Sequence, residues 1–79
     1  MNLFHGTNLN TKEGLKKNTC FTLDIGIAID YMKKKKGNII YLVQCDETVV
    51  MEYDDFDDCY VSLIEIPRRC LMKLEVKEV

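Results

Sequence analysis

The sequence predicts an α+β fold, a small mixed and largely antiparallel sheet carrying one short and one longer helix, and three observations lead there. Ile25, Ala28, Ile29 and Met32 recur at the i, i+3, i+4, i+7 spacing of an amphipathic helix. Ile39, Ile40, Tyr41, Leu42 and Val43 form an unbroken apolar run of strand length, bounded by Gly37 and Asn38 on one side and by Asp46 on the other. The helical signals fall in the first half and the strand signals in the second, an order that belongs to α+β rather than to alternating α/β architectures. With 79 residues, the whole span 1–79 is expected to form a single domain.

Element by element, Asn2 to His5 alternates polar and apolar residues and reads as a short strand, with Gly6 as a tight exit. Thr11 to Lys17 is expected to be one or two helical turns stopped at Asn18, and Thr19 to Leu23 a β segment. Asp24 is an N-cap for the main helix. The lysines from Lys33 to Lys36 meet the negative end of its macrodipole, and Gly37 then stops it. Four like charges on a last turn are read as a solvated helix end rather than as a nucleic-acid or membrane patch.

Asn38 to Cys45 is predicted to be a strand buried on both faces, hence central in its sheet. Asp46 and Glu47 mark a turn, Thr48 to Glu52 a strand, and Asp54 to Asp58 an acidic loop around Phe56. Tyr60 to Ile66 reads as a strand ended by Pro67. Leu71 to Val79 sets Met72, Leu74 and Val76 against Lys73, Glu75 and Lys77, the alternation of a half-exposed strand.

Charge and composition narrow the function classes. Thirteen acidic against 11 basic side chains leave a net charge of −2, which gives no general attraction to a phosphate backbone, so no direct nucleic-acid partner is expected. No apolar stretch reaches the roughly 20 residues of a bilayer span, so no membrane association is expected, and the N-terminus lacks a signal-peptide layout; the chain is read as cytoplasmic. Cys20, Cys45, Cys59 and Cys70 include no C-x-x-C pair and there is one histidine, so the cysteines are read as buried, reduced thiols, with no metal site.

Chemistry concentrates early in the chain. His5 is followed by Gly6 and Thr7, then by the β segment Thr19-Cys20-Phe21-Thr22, then by a helix carrying Ala28 and Tyr31. This succession, continued through Gly37 to Val43, resembles the ADP-ribosyltransferase superfamily over residues 2–46, with a weaker echo at 60–71. In that family a strand ends in His-Gly-Thr or His-Gly-Ser, and an aromatic-Phe-Thr or aromatic-Phe-Ala segment precedes a helix with Ala-x-x-Tyr. The resemblance implies NAD as substrate. His5 would hydrogen-bond a ribose hydroxyl, and Gly6 would let the backbone approach the carboxamide, with Thr7 completing the motif. Thr22 would offer a hydroxyl, and Tyr31 would stack on nicotinamide.

The family also places a glutamate just before a late strand, to stabilise the positive charge that builds on ribose as nicotinamide leaves. The aligned position falls here on Cys59 or Asp58, so Asp57 or Asp58 is the expected stand-in, and Cys20 occupies a place where many members have an aromatic. Two functions follow from the resemblance. The first is a minimal mono-ADP-ribosyltransferase acting on a macromolecular acceptor. The second is a catalytically inactive protein of this fold that captures a protein target through its acidic loop, in the manner of a phage or mobile-element inhibitor of a host defence system, anti-CRISPR-like. An RNA 2′-phosphotransferase is disfavoured, because Arg68 and Arg69 are the only arginines. A homodimer stays open, since an unprotected strand edge can pair with a second copy.

Overall fold

The computed structural model describes residues 2–44 and 51–77. Among the described residues eight strands, β1 (Asn2–Thr7), β2 (Gly14–Leu15), β3 (Cys20–Phe21), β4 (Ile39–Gln44), β5 (Met51–Asp54), β6 (Cys59–Ser62), β7 (Ile66–Pro67) and β8 (Leu71–Glu75), accompany one α-helix, α1 (Ile25–Lys34), and a 3₁₀ turn at Arg68–Cys70. The fold is α+β as predicted. The strands divide into three sheets of order β1-β4-β8, β2-β7 and β3-β6-β5, and every ladder is antiparallel.

β4 is the centre of the molecule, as its unbroken apolar run requires. Ile39, Tyr41 and Val43 point into a core with Leu3, Leu15, Phe21, Ile66 and Leu71, while Ile40 points the other way, onto Ala28 and Met32 of α1. Opposite faces of one strand therefore serve two cores, which is the period of 2 acting on a sheet covered on both sides. β1 and β3 are stitched together where the Phe4 and Thr22 amides and carbonyls exchange two hydrogen bonds of 2.8 Å. The bridge ties the sheet of β3 to the sheet that carries α1.

The helix starts as its sequence predicts. Asp24 is extended and its carboxylate accepts the Gly26 N–H at 2.8 Å, satisfying one of the free amides of the first turn. Its end differs from expectation. Lys36, not glycine, takes the left-handed conformation (φ 56°), with Lys36 N–H on Lys33 C=O and Gly37 N–H on Met32 C=O, the paired bonds of a Schellman ending. Gly37 is required for a different reason: a Cβ there would lie 2.2 Å from the Thr7 carbonyl oxygen.

Other expectations are corrected. Thr11 to Lys17 is not helical; it is a turn leading into β2, which pairs with β7 and buries Leu15. A segment with one apolar side chain has no stripe to bury, and so short a helix gains too little to offset its nucleation. Instead the Thr11 hydroxyl donates to the Gly14 carbonyl at 2.7 Å, and Gly14 adopts φ 111° hard against Ile66. Tyr60 to Ile66 is not one strand, since the chain leaves β6 after Ser62 and re-enters a different sheet at Ile66. In β8 Leu74 packs inward but Met72 is exposed. Cys20 is exposed and Cys70 half-buried, so only Cys59 fits the reading of buried thiols; Cys45 and the turn at Asp46 and Glu47 lie outside the described residues. Among the described residues no helix is long and apolar enough to cross a membrane.

Candidate functional site

β1, β3, α1 and the turn from β5 into β6 surround a cavity of about 340 Å³. Phe4, Phe21, Ala28 and the Tyr31 ring make its walls apolar, and His5, Lys35 and Asp57 bring polar groups to it. That volume is at the small end of ligand pockets, and a few polar groups among apolar walls is the usual composition of one. Of the residues singled out from the sequence, His5, Gly6, Thr22, Tyr31 and Asp57 line this one cavity although they are scattered from strand 1 to the turn before β6.

His5 is held in one state by its surroundings. Its Nδ1 lies 2.8 Å from the Cys20 carbonyl, which can only accept, so Nδ1 carries the proton. Burial lowers its pKa, the Cys20 bond acts in the opposite sense, and the Lys35 charge lowers it further; the net shift is downward. A neutral ring protonated on Nδ1 has Nε2 as an acceptor, the group needed to receive a hydroxyl proton from a ligand. Phe21 packs against the imidazole with ring centroids 5.5 Å apart, which fixes the ring plane.

Gly6 serves packing first. A Cβ there would lie 2.0 Å from the Ala28 carbonyl oxygen, so α1 can seat on β1 only over a glycine. Its own carbonyl accepts a 3.1 Å hydrogen bond from Lys35 Nζ. Lys35 was read as part of a solvated helix end, yet it reaches the cavity. The signal lay in the spacing, because Ala28, Tyr31 and Lys35 stand at i, i+3 and i+7, so Lys35, the C-cap just past the end of α1, continues the face that carries Ala28 and Tyr31. Lys34 lies over the Tyr31 ring at 5.5 Å and steadies that half-exposed phenol. The buried Thr22 hydroxyl oxygen accepts the Asp24 N–H at 3.2 Å, so it also sets the entry of the helix.

Two candidates lie elsewhere. Thr7 is buried at the end of β1, where its hydroxyl oxygen accepts the Leu9 N–H at 3.1 Å. Asp58 takes a left-handed conformation (φ 50°) and accepts the Tyr53 hydroxyl on the far side of the turn, so adjacent aspartates face different hollows. Cys59 does line the cavity, but burial, then its bond with Cys20, pushes its thiol up to about 12. It stays protonated and supplies no negative charge. Of Asp57, Asp58 and Cys59, Asp57 is the one that both lines the cavity and has a carboxylate. Cys20 and Cys59, which the sequence marks at a motif position and beside the aspartates, both line the cavity; their meeting depends on the antiparallel register of β3 and β6. Among the described residues no group of three or more His, Cys, Asp or Glu is placed to hold a metal ion. Compared with protein-family models, curated proteins and solved structures, the chain matches none.

Proposed function

We propose that the cavity receives the nicotinamide end of NAD and that the chain is a minimal mono-ADP-ribosyltransferase acting on a macromolecular acceptor. The observation that carries this reading is the convergence of His5, Tyr31 and Asp57, distant in sequence, on one apolar-walled cavity. The Tyr31 ring and the Phe4 and Phe21 walls would hold the pyridine ring, and His5 Nε2 would accept a ribose hydroxyl. When the bond between nicotinamide nitrogen and C1 of ribose breaks, its electron pair leaves with nicotinamide and positive charge grows on the sugar; the Asp57 carboxylate is the group available to stabilise it. Calorimetric titration with NAD and chromatographic assay of released nicotinamide test the reading. His5→Ala should weaken binding, and Asp57→Asn should suppress release while leaving binding within a few-fold. Failure to bind at millimolar NAD would remove the proposal.

One observation favours a second reading, the inactive protein-capture module. Phe56 is 95% exposed at the tip of the β5–β6 hairpin, flanked by Asp54, Asp55, Asp57 and Asp58. An exposed aromatic ringed by acids suits a partner with a basic-rimmed apolar socket, where the acids speed association. Charge reversal at the four aspartates should then abolish partner capture in a pull-down while His5→Ala leaves it intact.

A further inference from the structure

A second hollow, of about 390 Å³, shares Thr22 with the first and opens between the start of α1 and the β5–β6 hairpin. Tyr53 and Tyr60 face each other across that hairpin, with ring centroids 5.2 Å apart and planes inclined by 59°, so they present two aromatic surfaces at an angle. Leu23 and Ile27, each about half exposed, also line it. Asp24 and Asp58 stand in the same lining, and no basic residue does.

Each carboxylate has one oxygen committed within the chain. Asp24 Oδ1 accepts the Gly26 N–H, and Asp58 Oδ1 accepts the Tyr53 hydroxyl. Among the described residues neither Oδ2 has a hydrogen-bond donor, so both carboxylates keep acceptor capacity while their orientation is fixed by the bonds they do make. The Asp58 bond and its negative charge push the Tyr53 phenol up to about 12, so the ring beside the hollow stays neutral.

We propose that this hollow docks the arginine side chain of a partner protein. Two oriented carboxylates call for a cation, and an uncharged apolar segment would strip them of water without a partner. Two tyrosine faces and an aliphatic wall call for a cation that is flat and weakly hydrated. Guanidinium satisfies both demands, since it stacks on aromatic rings and offers several N–H groups in a fixed fork, whereas lysine ammonium is a strongly hydrated point charge. The acidic turn from Asp54 to Asp58 adds a field of the sign that draws such a side chain in. The inference does not depend on NAD binding in the first cavity.

Capped Gly-Arg-Gly, its citrulline counterpart and its lysine counterpart are titrated into the isotope-labelled full chain, and amide shifts at Asp24, Tyr53 and Asp58 are followed. The arginine peptide should bind at least about fivefold more tightly than the other two. Asp24→Asn and Asp58→Asn are informative because each keeps its structural role: asparagine is a good N-cap, and it tolerates the left-handed conformation of position 58. Each should weaken arginine binding roughly threefold, and the pair about tenfold, while spectral dispersion stays native. Citrulline or lysine peptides binding as tightly as arginine, or arginine binding unmoved by the double variant, would overturn the proposal.

Discussion

Gly6→Ala is the sharpest test of how the first cavity is built. The added Cβ would lie 2.0 Å from the Ala28 carbonyl oxygen, 2.9 Å from Met32 N and 3.0 Å from the Ala28 carbonyl carbon. All three are helix backbone, so no side chain can rotate away. Carbon and carbonyl oxygen rest at about 3.3 Å or more, so α1 must lift by roughly 1.3 Å. A gap of that size forfeits much of the dispersion between Ala28, Met32 and the strand face beneath them, and overpacking of this kind costs about 3 kcal/mol. A domain of 79 residues has about 4–12 kcal/mol in total, and each kcal/mol moves its melting temperature by about 4–8 °C, so a fall of about 15 °C is expected. Gly26→Ala is the matched control. Its nearest neighbour is the capping Asp24 carboxylate oxygen at 3.1 Å, which has to move only a few tenths of an ångström, so the propensity gained and the strain on the cap offset each other and stability should stay within about 0.5 kcal/mol of the parent. Thermal melts followed by circular dichroism read both variants. A Gly6→Ala protein melting within about 3 °C of its parent would show that the glycine is not needed for seating α1, and would sink the packing explanation of the site.

Tyr41 is fully buried with its hydroxyl accepting the Thr11 N–H at 2.9 Å and donating to the Leu9 carbonyl at 3.2 Å, so Tyr41→Phe should cost about 1–3 kcal/mol and speed amide exchange at Thr11, which hydrogen-exchange mass spectrometry can read. His5 is the single histidine, so one imidazole signal in a proton NMR titration reports it, and its midpoint should lie below the ordinary value of about 6.5 because burial dominates. Since the unfolded chain then binds the proton more readily, His5's contribution to stability is complete above about pH 6.5 and is lost as pH falls from there through the folded value. Melting temperatures of the parent should accordingly drop more steeply than those of His5→Gln on acidification, and a midpoint at or above 6.5 would reverse the sign. In a phenol titration read residue by residue by NMR, Asp58→Asn should lower the Tyr53 midpoint from about 12, because the carboxylate that accepts the Tyr53 hydrogen bond and repels the phenolate is gone; an unchanged midpoint would assign the shift elsewhere.

What the sequence determined by itself was local. The apolar face of α1 and its Asp24 cap and the central place of β4 are set by side chains within a few positions of one another, so spacing alone exposes them. The grouping of His5 with Tyr31 was legible only through ordered short motifs, since nothing in periodicity tells which strand end faces which helix face. Tertiary structure decided the rest. Gly14 and Leu15 became a strand because Ile66 and Pro67, far along the chain, offered a pairing edge and a core place that a helix of that composition could not match. The division of Asp57 from Asp58 between two hollows turns on one left-handed residue inside a turn, and the reach of Lys35 to Gly6 on how closely α1 sits against β1. Non-local contacts of this kind are rewarded only once the chain has closed its loops, which is why no window of neighbouring residues contains them.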